Sequence, residues 1–191
     1  ELVDAWAGAL VELAADRDVH SIVVTGAGKA FCAGGDLATL AEDAGPPGRK
    51  AFLRDHVHRV ERAIRGVEQP VIAMINGAAM GAGFDMALLC DLRIDADEAK
   101  IGEAYVNLGL VPGDGGAWLL PRLVGPARAL ELLWTGKVLS GEEAAEWGLV
   151  NQSVPREQLE ETTYALAEKL AAGPQLAQRL IKRAVYTAEQ L

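Results

Sequence analysis

The spacing of apolar and polar positions divides the chain into alternating helical and extended segments. Residues 1–16 predict a helix with one apolar face, formed by Leu2, Trp6, Ala9, Leu10 and Leu13. Two short runs, "HSIVVTG" at 20–26 and "QPVIAMING" at 69–77, are apolar without a break, and each ends at a glycine. Uninterrupted apolar runs of this length predict strands that are buried on both faces.

Helical periodicity returns several times after these strands, at 49–67, 81–90, around 125–135, 140–147, 156–172 and 174–189. "LATLAED" (37–43) predicts a short helix, and "AGPPG" (44–48) predicts a mobile connection. "DLRIDA" and "AKIGE" predict short strands. Strands that alternate with helices predict an α/β fold with parallel strands, and the pattern over residues 1–191 shows no domain boundary.

Composition and charge narrow the kinds of function. The chain has 191 residues, half of them hydrophobic, and its net charge is −9, with no block of lysine and arginine. A nucleic-acid-binding surface is therefore not expected. Two cysteines without CxxC spacing and three scattered histidines predict neither a disulfide framework nor a metal site.

The expected location follows from what the sequence lacks. No apolar run reaches the length of a membrane span, and no signal peptide is visible. We therefore expect a cytoplasmic protein with no membrane partner. The chain begins at Glu1 within a helical pattern, and we expect that a preceding segment is missing.

Two stretches rich in glycine and alanine, "GAGKAFCAGGD" (26–36) and "NGAAMGAGFD" (76–85), each follow a predicted strand and lead into a helix. The first lacks the spacing of a phosphate-binding loop, and Phe31 stands where GxGxxG needs its third glycine. Small residues let a ligand approach the backbone, and amides at the start of a helix lack partners within it. The amides of Gly35 and Ala82 are therefore candidates for an oxyanion hole. The alternative is a pair of tight turns with close packing.

Four segments, in the same order along the chain, resemble a known family. They are "GKAFCAGGDL", "PVIAMINGAAMGAGFDMALLCDLRI", "LGLVPGDGGAWLLPRLVG" and "AAEWGLVNQSVP", and they are similar to the signature segments of the enoyl-CoA hydratase/isomerase (crotonase) family. The resemblance implies a crotonase-like spiral of ββα units over about 1–135 and a helical C-terminal region over 136–191. The family's first strands and part of its C-terminal helices have no counterpart in this chain.

The resemblance also implies a ligand and an assembly. Members of the family bind acyl-CoA thioesters, and two backbone amides hold the thioester oxygen as it becomes an enolate. Those positions match Gly35 and Ala82. CoA would be part of the substrate, with no further cofactor, and the assembly would be a homotrimer or a dimer of trimers. The residues expected to line the thioester and CoA site are Ala33, Gly35, Asp36, Leu37, Met80, Gly81 and Ala82.

Several acids are candidates for proton transfer. The family's hydratases use two glutamates, and Asp85 matches the first of these positions, whereas Tyr105 stands at the second. A tyrosine has an ordinary pKa of about 10 and is a poor base near neutrality, so Tyr105 would donate a hydrogen bond, shape the acyl pocket or simply pack. Asp114 in "PGDGG" and Glu103 are the next candidates, in that order. Each acid could instead complement a helix start or be solvated.

The resemblance implies more than one reaction. Hydration of a 2-enoyl-CoA and isomerisation of a double bond are the expected activities. A non-catalytic acyl-CoA-binding protein is one alternative, because Tyr105 replaces the second glutamate. Thioester hydrolysis and C–C bond cleavage are others. The histidines of "RDHVHR" (54–59) are expected on a surface helix, because residues two apart do not share a helical face.

Overall fold

The computed structural model describes residues 2–36 and 45–188. Its α-helices are α1 (Leu2–Ala15), α2 (Gly45–Phe52), α3 (His58–Gly66), α4 (Ala82–Leu88), α5 (Gly116–Thr135), α6 (Gly141–Trp147), α7 (Arg156–Ala171) and α8 (Gln175–Ala188). Its strands are β1 (Ile22–Thr25), β2 (Ala30–Cys32), β3 (Val71–Ile75), β4 (Ala78–Met80), β5 (Leu92–Ala96), β6 (Lys100–Gly102), β7 (Val138–Ser140) and β8 (Gln152–Val154). A π-helical turn (Leu53–Val57) joins α2 to α3, and a 3₁₀ helix (Ala104–Leu108) follows β6.

The described strands form two four-stranded sheets. The first has the order β1-β3-β5-β8 and is parallel throughout, and the second has the order β2-β4-β6-β7, with β7 antiparallel to β6. From β1 to β6, consecutive strands alternate between the two sheets, so that each ββ pair and the helical segment after it adds one turn to a spiral. The predicted α/β fold with parallel strands is confirmed, as is the spiral of ββα units.

Strand β3 lies at the centre of the first sheet, and all five of its residues are buried. Val71, Ala73 and Ile75 belong to the larger hydrophobic cluster, whereas Met74 packs in a second cluster on the other face. A strand covered on both faces has no polar side to present to water, which is why its sequence is apolar without a break. The strand predicted over 69–77 is therefore confirmed.

The two glycine-rich stretches contain more regular structure than expected. Each includes a three-residue strand, β2 or β4, and these two strands pair in parallel. A Cβ atom at Gly77 would lie 2.1 Å from the carbonyl oxygen of Lys29, and one at Gly83 would lie 2.1 Å from that of Cys32. Part of the glycine content therefore serves close packing of the backbone.

Local structure differs from the sequence-based expectation at residues 45–48 and within 136–191. Residues 45–48 of "AGPPG" are helical and not the expected connection, because Gly45 begins α2 and the two prolines lie in its first turn, where a missing amide hydrogen costs no helical bond; Ala44 lies outside the described residues. The helix expected over 37–43 lies outside the described residues. The range 136–191 is not wholly helical, because β7 and β8 add strands to the two sheets.

Within the described part of the chain, no helix combines the length and apolar character needed to cross a membrane.

Candidate active site

The candidate site lies at the carboxyl ends of three neighbouring strands of the second sheet. Strand β2 leads into Ala33–Asp36, β4 leads into Gly81 and α4, and β6 leads into Glu103 and the 3₁₀ helix. Since these strands are parallel neighbours, the segments that follow them meet at one edge of the sheet. That edge is where α/β folds commonly bind ligands.

The segment after β2 packs directly on the turn before α4. Gly34 has φ +103°, and a Cβ atom there would lie 2.8 Å from the carbonyl oxygen of Met80, so only glycine fits this contact. Gly35, Ala33 and Asp36 are exposed, whereas Met80 is half-buried. Both glycine-rich stretches therefore lie beside the turn that leads into α4.

Ala82 is the first residue of α4 and is half-buried. Gly81 is the N-cap residue just before the helix; its φ is +51°, and its carbonyl oxygen accepts from the amides of Phe84 and Asp85. The Ala82 amide is one of the first four of the helix and has no acceptor one turn earlier within it. Of the residues expected to line the ligand site, Leu37 lies outside the described residues.

A hydroxyl group bridges two carboxyl groups beside this turn. The hydroxyl oxygen of Tyr105 lies 2.7 Å from Oδ2 of Asp85 and 2.8 Å from Oδ2 of Asp114. A tyrosine carries one hydroxyl hydrogen, so it donates to one carboxylate, and the second contact is a hydrogen bond when the other carboxyl is protonated and donates to the tyrosine oxygen. The three groups therefore form a chain that holds one proton more than the tyrosine's own.

The ring of Tyr105 places this chain against the candidate oxyanion site. A Cβ atom at Gly81 would lie 3.7 Å from the ring. The ring therefore lies against the turn that precedes Ala82, and its hydroxyl reaches Asp85 in the first turn of α4. Asp85 follows Ala82 by three residues, just under one helical turn, so the two share a side of α4, and Tyr105 lies against that side.

Glu103 lies next to Asp85 and is fully enclosed. Both residues have a relative exposure of 0%. A Cβ atom at Gly116, the first residue of α5, would lie 2.2 Å from Oδ1 of Asp85 and 3.2 Å from Oε1 of Glu103. We refer to Asp85, Glu103, Tyr105 and Asp114 as the acid cluster.

Burial controls the protonation of the acid cluster. It raises the pKa of Asp85 to about 7, and it does so despite the hydrogen bond from Tyr105, which favours the charged form. Burial, together with the neighbouring charge of Asp85, raises the pKa of Glu103 to about 9. The pKa of Asp114 is also raised by burial, and that of Tyr105 is raised by burial and by the two aspartates. The cluster therefore retains protons at neutral pH.

A histidine supports the loop that carries Asp114. Nε2 of His58 lies 2.9 Å from the carbonyl oxygen of Gly113, and because a carbonyl only accepts, Nε2 donates. His56 lies 3.1 Å from a carboxyl oxygen of Asp4. Both histidines are half-buried on a helical segment whose Arg54, Asp55 and Arg59 are exposed, so the segment lies at the surface as expected, with tertiary contacts at the two histidines.

The sequence-predicted acids were ranked as alternatives, but the structure brings them together. Asp85, Asp114 and Glu103 belong to one cluster around Tyr105. Gly116 and His58 were not identified from the sequence. A glycine after "PGDG" carries no sign that it borders two carboxyl groups, and a histidine 55 positions from its acceptor carries no local signal. Within the described ranges, no group of three or more His, Cys, Asp or Glu side chains is arranged to hold a metal ion.

A cavity of about 360 Å³ lies away from the acid cluster, between α3, α5 and α8. Leu88 and Leu89 line it, at the end of α4 opposite to Ala82, together with Trp118 and Lys182. The cavity therefore borders the far end of the helix that carries the site.

The sequence model of the family described as "Enoyl-CoA hydratase/isomerase" matches residues 1–190. The chain is 41% identical to a 1,2-epoxyphenylacetyl-CoA isomerase of Escherichia coli over 94% of this chain and 70% of that protein. It is also 41% identical to a crotonyl-CoA hydratase of Syntrophomonas wolfei, over 88% of this chain and 65% of that protein. The chain thus spans about two thirds of the length of these relatives.

Solved structures of similar proteins share the fold. An enoyl-CoA hydratase from Bacillus anthracis superposes with a TM-score of 0.93 at 37% identity, over 100% of this chain and 73% of that one. An enoyl-CoA hydratase subunit from Geobacillus kaustophilus superposes with a TM-score of 0.92 at 41% identity, over 100% of this chain and 72% of that one. Sequence and fold agree, and the chain belongs to the enoyl-CoA hydratase/isomerase family.

Proposed function

We propose that the protein catalyses proton transfer on an acyl-CoA thioester through an enolate. The amides of Gly35 and Ala82 would hold the thioester oxygen as it gains negative charge, and the acid cluster would take and return the proton. CoA would be part of the substrate, with no further cofactor. The observation that carries this proposal is the Tyr105 hydroxyl between Asp85 and Asp114, beside the turn that ends at Ala82.

The hydrogen-bonded chain suits a proton that leaves one carbon and returns at another. The α-carbon would lose a proton to an ionised carboxylate of the cluster, and the electron pair would move into the thioester as an enolate. A protonated carboxyl would then donate to the γ-carbon, so that the double bond moves into conjugation. Asp114, which is half-buried, would be the carboxyl that takes and returns the proton, and a shift of two hydrogens through Tyr105 would move the negative charge between Asp114 and the enclosed Asp85.

Access determines which group meets the substrate first. Asp85 is fully enclosed, whereas Tyr105 and Asp114 are half-buried. A substrate proton would therefore enter the cluster from the side of Tyr105 and Asp114, with Asp85 acting behind them. This order differs from the sequence-based ranking, in which Asp85 stands first.

We favour isomerisation over hydration. Hydration needs a water molecule held between a base and an acid, and here the two aspartates are joined by a tyrosine hydroxyl at hydrogen-bond distances. The two relatives described above do not decide between the reactions, because a named isomerase and a named hydratase are equally similar. The bridge through Tyr105 is the feature that favours a proton shift.

A non-catalytic acyl-CoA-binding protein is the second candidate. The observation in its favour is that Asp85, at the position of the family's first glutamate, is fully enclosed behind Tyr105. Such a protein would keep the backbone site for the thioester but would lack an accessible base. It would bind a CoA thioester without turning it over.

Turnover of two substrates separates these possibilities. With a 3-enoyl-CoA we expect the absorbance of the conjugated enoyl thioester to rise, and with crotonyl-CoA we expect a slower loss of that absorbance. Calorimetric binding of crotonyl-CoA without turnover of either compound would favour the non-catalytic candidate. Equal and very weak binding of crotonyl-CoA and free crotonate would contradict both.

Assembly and location are part of the same proposal. We propose a homotrimer or a dimer of trimers, because the family resemblance implies this assembly, and we propose the cytoplasm as its location, because no signal peptide is visible in the given sequence. An exposed apolar face on α8, described below, supports association. A pure monomer at micromolar concentration would contradict it.

A further inference from the structure

Glu103 is a buried acid that the proton path through Tyr105 does not use. It follows β6 directly, and neither of its carboxyl oxygens has a hydrogen-bond partner among the described residues. Oδ1 of Asp85 is enclosed and likewise makes no well-formed hydrogen bond among the described residues, although the Glu103 side chain and the Gly116 backbone are close enough to lower the pKa of Asp85. Buried polar atoms are nearly always hydrogen-bonded, so these neighbouring unpartnered oxygens call for a common explanation.

Gly116 shows that the two carboxyl groups border the same space. The position of a Cβ atom on this glycine would be 2.2 Å from Oδ1 of Asp85 and 3.2 Å from Oε1 of Glu103. The missing side chain leaves that space to the two oxygens. The two side chains are close enough to act on each other directly, and each alters the pKa of the other.

We propose that Glu103 is a positioning residue that keeps a proton and donates it in a hydrogen bond to Oδ1 of Asp85. Asp85 then accepts from Tyr105 at Oδ2 and from Glu103 at Oδ1. Asp114 holds a proton that it donates to the oxygen of Tyr105. This arrangement places the single negative charge of the resting acid cluster on Asp85, and the hydrogen shift through Tyr105 moves that charge to Asp114 when a substrate proton is taken.

The groups that face Glu103 support a protonated side chain. Asp85 faces it from α4, Tyr105 lies on the adjacent 3₁₀ helix, and Asp114 lies in the loop before α5. Two of these groups are acids and the third is a neutral hydroxyl. His58 on α3 lowers the pKa of Asp114, but it does not face Glu103. A charged Glu103 would be buried beside other acids, which is strongly unfavourable. The rise in the pKa of Glu103 to about 9 agrees with this argument.

The role of Glu103 in turnover rests on the proposed function, but its protonation does not. Glu103→Gln supplies an N–H donor in place of the O–H, whereas Glu103→Leu supplies none. We expect kcat/KM of the leucine variant to be roughly 10–100-fold below that of the glutamine variant, because it loses a hydrogen bond to a charged group. The acid limb of its pH profile should also move to higher pH, because Asp85 loses a donor that favours its charged form.

Infrared titration tests the protonation without turnover. The wild-type protein should show a buried carboxylic acid C=O stretch that persists above pH 7. Asp114 and Asp95 also contribute such bands, so the test is the difference spectrum: one band should be lost in Glu103→Gln, and none should be lost in Glu12→Gln, which changes an exposed residue on α1. If the band behaves in this way but no thioester is turned over, the assignment of Glu103 stands and only the proposed function fails. A band unchanged in Glu103→Gln, or equal losses of kcat/KM in the two Glu103 variants, would overturn the proposal.

Discussion

At the scale of single residues, the hydroxyl of Tyr105 is the link that makes two aspartates act as one unit. Tyr105→Phe removes this link and keeps the ring that packs on Gly81. We expect turnover of the true substrate to fall roughly 10²–10⁴-fold, the range for loss of a proton-transfer group. Affinity for a CoA thioester, measured by calorimetry, should change little, because the proposed oxygen contacts come from the backbone.

The matched control for this substitution is Tyr164→Phe, which removes the hydroxyl of a partly exposed tyrosine on α7. It should leave both turnover and binding unchanged. Full activity in Tyr105→Phe would show that protons do not pass through the tyrosine.

If Asp85, Tyr105 and Asp114 form one proton path, their substitutions should not act independently. We expect Asp85→Asn and Asp114→Asn each to lower kcat strongly, and the double variant to be little worse than the more damaged single one, because groups that act as a unit are non-additive. Steady-state kinetics of the three variants measure this. Losses that multiply would indicate that the two acids work separately.

Asp95 offers a separate test of how burial affects an acid. It lies on β5 with a relative exposure of 0%, and neither carboxyl oxygen has a hydrogen-bond partner within the described part of the chain. Burial raises its pKa from an ordinary 3.8 to about 7, although the Ser153 hydroxyl acts in the opposite direction. Between these values the folded state binds more protons than the unfolded state, so the stability contributed by this group falls as pH rises.

Asp95→Asn removes this titration, so the change in stability that it causes should be more favourable at pH 8 than at pH 5. Each kcal/mol gained would raise Tm by roughly 2–4 °C in a chain of this size. Thermal unfolding followed by circular dichroism at both pH values measures the difference. Asp18→Asn, at an exposed turn, is the control. Equal Tm changes at pH 5 and pH 8 would show that Asp95 is ionised in the folded state.

The members of the acid cluster could be identified from the sequence, but the contacts between their side chains could not. Asp85 and Tyr105 were identified because they occupy recognisable positions in family segments. That Tyr105 touches both aspartates depends on how three strand ends meet, which no local pattern encodes. Glu103 was ranked last because sequence spacing does not show that a residue is fully enclosed.

At the scale of elements, the approach of α4 to β2 depends on a glycine. A Cβ atom at Gly83 would lie 2.1 Å from the carbonyl oxygen of Cys32 and 2.7 Å from its carbonyl carbon, and backbone atoms cannot move aside as a side chain can. Gly83→Ala should therefore cost about 1–3 kcal/mol, as overpacking typically does, and should lower turnover by separating the two glycine-rich segments. Urea unfolding measures the loss of stability.

Gly8→Ala is the control because Gly8 lies inside α1 with nothing within 4 Å of its Cβ position. Replacing a helical glycine with alanine there should stabilise the protein by about 0.5–1 kcal/mol. If Gly83→Ala also stabilises the protein, the tight contact with Cys32 does not restrain the site.

Length and composition explain which elements were predictable. β1 and β3 belong to continuous apolar runs, and such runs indicate buried strands. β2 and β4 have only three residues each, rich in alanine, and lie within glycine-rich stretches. Alanine and glycine have low strand propensity, so pairing in the second sheet rather than local preference makes these segments extended.

At the scale of the whole molecule, α8 presents two different faces. One face is anchored by Lys182 and Tyr186, which hold the carboxyl group of Asp91 at 2.7 and 2.8 Å. The other carries a row of exposed apolar side chains, namely Leu176, Leu180, Ile181 and Val185, with relative exposures from 50% to 72%. Contiguous exposed apolar surface usually marks an interaction site.

We therefore expect the protein to associate through this face of α8, in line with the proposed trimer. Light scattering should give a mass about three or six times that of the 20.2 kDa chain. Val185→Glu places a charge in the apolar row and should shift the mass toward the monomer, because burying an unpaired carboxylate in an interface is costly. Val11→Glu makes the same change at an exposed position of α1 and should leave the mass unchanged. A monomeric wild-type protein at micromolar concentration would contradict association, and equal dissociation by both variants would show that α8 is not the contact. If Val185→Glu dissociates the protein and turnover falls as well, assembly supports the site. If turnover persists in the monomer, the acid cluster works within a single chain.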